Sequence, residues 1–259
     1  MRYGRSIMAL VSLSVALAAC DSDDTAGPGR KAPSNEPLRV IEASGDLTAA
    51  LADFQASVGD PANGGGAGPQ PAGRREIRWD GVPPERTNTD DFPIDFFNTN
   101  VPSGLITTTD GIGFRVSDTD FGDVNQSYAD EFESFSRIKT FMSVGSPRMT
   151  VTFRVPGSDT PGIVNGFGIV FSDIDRDGAA SITLYAADGA NLGQYLAPVR
   201  SDAAGHSFVG VLYDRPLVAR VEVTSGEAAL AAVTDDLTDG GVHDLVITDD
   251  FLYGEPQPE

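Results

Sequence analysis

From Arg74 onward the apolar residues recur at every second position in short runs, and the runs are separated by clusters of Gly, Pro, Asn and Asp. In "RMTVTFRV" Met149, Val151, Phe153 and Val155 share one face, with threonines and arginines on the other. "ASITLYA" (Ile182, Leu184), "SFVGVLY" and "LVARVEVT" (Leu217, Ala219, Val221, Val223) repeat the pattern, and "REIRW", "GIGFRV", "FGIVFSD" and "DLVIT" are shorter candidates. A period of two places alternate side chains on opposite faces of a strand, so these runs predict β-strands with one buried face. About ten strands with no helical pattern in this region predict an antiparallel β-sandwich of jelly-roll type spanning residues 74–254. No repeat of fixed period is present, which argues against a propeller or β-helix.

The segments before this region differ in composition. Residues 1–19 carry Arg2 and Arg5 and then the apolar run "IMALVSLSVALAA", which is too short to span a bilayer, so they read as a secretory signal peptide. The run ends in Leu17-Ala18-Ala19-Cys20, which resembles a bacterial lipobox. That resemblance implies diacylglycerol attachment to Cys20, with a palmitate-type acyl chain as membrane anchor. Cys20 is the single cysteine of the 259 residues, so no internal disulfide can form. Residues 20–42 are rich in Pro, Gly, Ser and charge and read as a disordered tether. Residues 43–58 place Leu47, Ala50, Leu51, Phe54 and Val58 at helical spacing, with Ser44 or Asp46 as N-cap and Gly59 as a stop. A Gly/Pro linker follows over residues 59–73, and residues 255–259 are left as a C-terminal tail.

Asp and Glu number 38 against 18 Lys and Arg, a formal net charge of −20. Nucleic acid is excluded as a partner, because phosphate binding needs a basic patch. The same charge disfavours anionic lipid, so membrane contact is expected through the acyl anchor alone.

"GRREIRWDGVP" at the start of the strand-rich region and "VHDLVITDDFLYGEP" at its end resemble a widespread group of uncharacterised bacterial secreted β-sandwich proteins. In that group a Gly-rich linker leads into a Trp-Asp-Gly strand and the chain closes on DDFxYGEP. The resemblance implies an extracytoplasmic sandwich and carries no activity with it. The Asp-Asp-aromatic terminal strand is also similar to those of galactose-binding-like jelly rolls and carbohydrate-binding modules.

The candidate chemistry is acidic. Asp173, Asp175, Asp177 and Gly178 match the first half of a D-x-D-x-D-G calcium loop, in which alternate carboxylates converge on a hard cation. Leu184 stands where the closing bidentate acid belongs and no helices flank the loop, so an EF-hand is excluded. Two readings remain, an acidic hairpin turn and a structural calcium (Ca2+) site completed by Asp249 and Asp250, or by Asp80. Two further stretches, "DDFPIDFF" (residues 90–97) and "YADEFESF" (residues 128–135), mix acids with aromatics, as either a sugar-binding face or a core would. Only two histidines occur, His206 and His243, and neither sits in a metalloprotease or nucleophile motif. No catalytic residue is therefore named. The reading is a lipid-anchored cell-envelope module, structural or binding a glycan or a protein, with an acid-dependent hydrolase of envelope polymer as the alternative.

Overall fold

The computed structural model describes Met1 and residues 35–200, 202, 205–231 and 233–259. The chain divides into Met1–Ser34 and Asn35–Glu259, and among the described residues all the strands and helices lie in the second unit. The signal peptide, Cys20 and most of the tether lie outside the described residues.

The strands run in chain order as β1 (Arg39–Ser44), β2 (Arg74–Ile77), β3 (Leu105–Thr108), β4 (Gly113–Ser117), β5 (Thr140–Val144), β6 (Arg148–Arg154) and β7 (Pro161–Ile163). They continue as β8 (Gly166–Ser172), β9 (Ala180–Ala186), β10 (Asn191–Leu196), β11 (His206–Leu212), β12 (Val218–Ser225), β13 (Ile247–Gly254) and β14 (Gln257–Pro258). Helices are α1 (Thr48–Val58) and the single turns α2 (Phe96–Thr99) and α3 (Tyr128–Glu131). One sheet has the order β1-β11-β8-β13-β5-β4, with β2 also on β13; the other has the order β10-β9-β12-β6-β7-β14, with β3 on β6. Every named pairing is antiparallel. From β8 to β13 the chain repeatedly changes sheet, and the two sheets close on one core, so the fold is an all-β sandwich.

Trp79 sits in that core, fully buried, stacked on Phe141 at 3.8 Å between ring centroids and donating its indole N–H to the Asp249 carbonyl at 2.9 Å. Phe92, Phe96 and Phe97 of "DDFPIDFF" pack around it, and Tyr128 and Phe132 of "YADEFESF" are buried in a smaller cluster with Phe121, Met142, Leu230, Leu245 and Ile247. These aromatics are core residues.

The two sheets bury their strands differently. β6 alternates buried and half-buried positions, as a sheet with one face toward solvent requires. Every residue of β8 and β13 is buried, because the outer face of their sheet is covered as well. Over part of that face α1 lays Phe54 and Val58 against Val170, Phe208, Leu212 and Leu252. Gly210 makes room for it: a Cβ there would lie 2.6 Å from the Phe54 ring. Elsewhere on that sheet lie Phe121, Tyr128 and Phe132 from the segment around α3, together with Leu230 and Leu245 of the segment leading to β13.

Four sequence-based boundaries shift. β1 lies partly inside the stretch read as tether, because it is held to β11 by main-chain pairing and buries only Ile41, which leaves no alternation to read. α1 begins at Thr48, whose N–H is accepted by the Asp46 carboxylate at 3.0 Å. The linker is tied down by hydrogen bonds, the Gly68 N–H to the Pro156 carbonyl at 2.7 Å and the Gln70 N–H to the Glu255 carboxylate at 3.1 Å, and in the tail Glu255 is buried and β14 pairs with β7. In "LVARVEVT" a bulge between Val218 and Arg220 adds one residue, so Val218 faces the core and Ala219 does not.

Candidate metal centre

β8 ends at Ser172, opposite Ile247 at the start of β13. The register therefore brings the residue that follows β8, Asp173, to the same rim of the sheet as Asp244, which leads into β13. The chain from Asp173 to Ala180 does not form a hairpin: β8 and β9 belong to different sheets, and the loop crosses between them. Crossing requires a sharp change of direction, and Asp173 takes it with φ 65°, a conformation open to Asp at little cost. Its side chain is turned inward, and it is 0% exposed.

Two other acids close on it. Glu131, 3% exposed, ends α3, which is held by the Tyr128 hydroxyl 2.6 Å from the Thr234 carbonyl. Asp236 lies in the loop before β13, its carboxylate accepting the Leu245 N–H at 2.6 Å and the Thr238 N–H at 2.8 Å. Glu131, Asp173 and Asp236 each offer an oxygen such that the three atoms lie within 4.8 Å of one another. A second group of the same dimension consists of Asp175, Asp236 and Asp244. Asp244 Oδ2 accepts the N–H groups of Asp175 at 3.0 Å and Arg176 at 2.6 Å, while its Oδ1 has no partner.

Both oxygens of Asp173 and both of Glu131 also lack a hydrogen-bond partner. None of the ion pairs among the described residues includes any of the five acids; Arg176, the nearest basic side chain in sequence, pairs with Glu227 instead. Leaving buried carboxylates unpaired costs several kcal/mol each, on the order of the whole stability of a domain when summed over a cluster. The carboxyl groups respond by holding protons. Burial, then the charge of Asp236, pushes Asp173 up to about 8; burial, then its contacts with Asp236, pushes Glu131 up to about 9. Burial raises Asp244 to about 6 against the lowering effect of its N–H donors, and it raises Asp175 as well. A buried, all-oxygen set of carboxylates is the donor chemistry of a hard divalent cation such as Ca2+.

Of the acids singled out in the sequence, the structure brings Asp173 and Asp175 into these groups. Asp177 is exposed on the outside of the loop. Asp249 and Asp250 are in neither group, because they sit in a bulge of β13 and are already supplied with donors. Asp249 Oδ2 accepts the Phe135 N–H at 2.6 Å, and Asp250 Oδ1 accepts the Ser136 hydroxyl at 2.5 Å. Burial and the charge of Asp250 hold the Asp249 carboxyl well above the usual carboxylate range. Asp80 likewise accepts the Ile138 N–H at 3.1 Å. These three acids pin the loop after α3 to the sheet. Sequence reading missed Glu131, Asp236 and Asp244, although "DDLTDGGVHD" does concentrate acids and glycine immediately before the last strand.

A separate polar groove of about 580 Å³ lies on the open face of the second sheet, lined by Thr108, Asp110, Arg148, Thr183, Gln194 and Glu222 among others. Beside it the Arg220 guanidinium lies 3.6 Å from the centre of the Tyr185 ring.

No protein-family model matches the chain, and no curated protein matches it. Among solved structures it is similar to the enzymatically active domain of tailspike protein 4 of bacteriophage CBA120, at 14% identity over 69% of this chain and 22% of that one. The chain thus spans under a quarter of that protein's length, and with a TM-score of 0.24 the likeness bears on neither fold nor function.

Proposed function

We propose that the chain is a lipid-anchored binding module of a bacterial cell envelope, displayed outside the cytoplasm, whose sandwich is completed by Ca2+ at Glu131, Asp173, Asp175, Asp236 and Asp244. The observation that carries the cation is the pair of fully buried carboxylates, Glu131 and Asp173, with four oxygens and no donor among them. Ca2+ fits an extracytoplasmic setting, where millimolar ion fills even weak sites. Support for the anchor is the lipobox-like Leu17-Ala18-Ala19-Cys20 behind a basic and apolar leader. In a bacterial host Cys20→Ser abolishes incorporation of a palmitate analogue and moves the protein from the membrane to the soluble fraction; persistent labelling refutes the anchor.

The ligand of this module is a glycan, taken in the groove of the second sheet. Its threonine hydroxyls, amide and carboxylates match the alternating donors and acceptors of a sugar. On an array of envelope polysaccharides the protein gives a saturable signal that Gln194→Ala and Glu222→Ala weaken at least tenfold. A protein partner is the surviving alternative if no glycan saturates.

A further inference from the structure

The five acids do not form one group. A Ca2+ ion holds its oxygens at about 2.3–2.6 Å, so two oxygens on the same ion are at most about 5 Å apart. Among the described residues the acids that meet this limit fall into two overlapping triads, and Asp236 alone belongs to both. We propose that the rim takes two divalent cations side by side: an inner ion on Glu131, Asp173 and Asp236, and an outer ion on Asp175, Asp236 and Asp244, with the Asp236 carboxylate as the bridge. The proposal rests on the cation reading given above and adds to it the number of ions, their ligands and their order of filling.

Three features of the site support two ions. Asp236 uses one lone pair of each oxygen on a backbone N–H, Leu245 on Oδ1 and Thr238 on Oδ2, so each oxygen keeps one lone pair for an ion. Asp244 is arranged differently: both of its donors reach Oδ2, so Oδ1 is left bare for an ion. Charge gives the third argument. Two dications nearly balance five carboxylates, whereas one dication leaves three negative charges at a rim where, among the described residues, no guanidinium or ammonium group pairs with these acids.

The two positions are unequal. Glu131 and Asp173 are buried, whereas Asp175 is half-buried at the loop surface and keeps a hydrogen bond to the Thr238 hydroxyl at 3.2 Å. The outer ion therefore exchanges with solvent while the inner one is retained. Each ion also has its own mechanical role. The inner ion ties α3 to the end of β8, and the outer ion ties the loop between the sheets to the segment entering β13.

Equilibrium dialysis of the metal-free, full-length protein against 50 µM calcium chloride in 150 mM salt, followed by metal analysis, counts the ions without interference from weak surface acids. The expected result is two per chain, one for Glu131→Gln, one for Asp244→Asn, and none retained by Asp236→Asn. Far-UV circular dichroism checks that each variant is folded, and the wild-type count alone decides the proposal if one is not. One ion per chain in the wild type overturns the two-ion proposal and leaves the cation reading standing. Two ions retained by both single variants overturn the ligand assignment, and no bound ion at 50 µM or in a second dialysis against 2 mM calcium overturns proposal and reading together.

Discussion

Millimolar calcium raises the melting temperature of the metal-free protein by about 10 °C at pH 8 and by far less at pH 5. The magnitude follows from mass action: a ligand at about 1,000 times its Kd adds roughly 4 kcal/mol, and a domain of this size shifts by about 2–4 °C per kcal/mol. The pH dependence follows from the buried acids. In the metal-free fold Asp244, Asp173 and Glu131 hold their protons up to about 6, 8 and 9, well above the ordinary carboxylate values they regain on unfolding. Between about pH 4 and pH 9 the folded chain thus binds more protons than the unfolded one, and its stability falls as pH rises through that window. Calcium restores what the lost protons withdrew, so its effect is greatest at alkaline pH, while at pH 5 it must displace protons and gains little. Acids whose pKa is lowered, such as Asp53 beside Arg39, act in the opposite direction, but that pair is exposed and contributes little. Differential scanning calorimetry across pH with and without calcium measures both effects.

Glu255→Gln and Arg75→Ala each cost about 3–5 kcal/mol, the loss expected when one partner of a buried ion pair is removed. Arg75 donates through Nε to Glu255 Oε2 at 2.6 Å and through Nη2 to Oε1 at 2.7 Å, with side chains only 1% and 2% exposed. The same carboxylate accepts the Gln70 N–H at 3.1 Å and the Asn63 amide at 2.9 Å, and Arg75 also donates to the Pro102 carbonyl at 3.1 Å. One pair thus fastens the Gly/Pro segment over residues 59–73 to the chain just after β13. Urea unfolding of both single variants and of the double variant checks this. The double variant is expected to cost less than the sum of the singles, because removing both charges leaves none stranded. Additive losses contradict the account, and so does a segment 59–73 that stays as resistant to protease in Glu255→Gln as in the wild type.

How much of this was legible in the sequence depended on which face of each strand meets water. The strands of the open sheet were readable because one face is wet: Met149, Val151 and Phe153 alternate with polar residues. β8 and β13 are buried on both faces and do not alternate, so they showed only as the apolar runs "FGIVFSD" and "DLVIT", the latter ending six residues before β13 does, and β1 is an edge held mainly by backbone bonds. Spacing also misled at the site. The run of Asp173, Asp175 and Asp177 looks like a loop folded around one ion, yet the chain crosses between sheets there and Asp177 points outward. The acids that complete the cluster stand 42 residues before Asp173 and 63 and 71 residues after it in the numbering, so only the pairing of β8 with β13 and the docking of α3 bring them together. The two end motifs meet as well: β2 of "GRREIRW" pairs with β13 of "DDFLYGEP", which seats Arg75 next to Glu255. No local pattern in either motif announces that contact.

Asp173→Asn tests the central claim most directly, through melting at pH 8 with and without calcium. Asp173 has no hydrogen-bond partner to lose, and the substitution removes one of several crowded buried charges. The metal-free variant is therefore expected to melt above the metal-free wild type, while the increment from calcium shrinks by at least half. If instead the variant is destabilised in the metal-free state and keeps the full calcium increment, Asp173 is an ordinary structural acid and the rim is not a cation site.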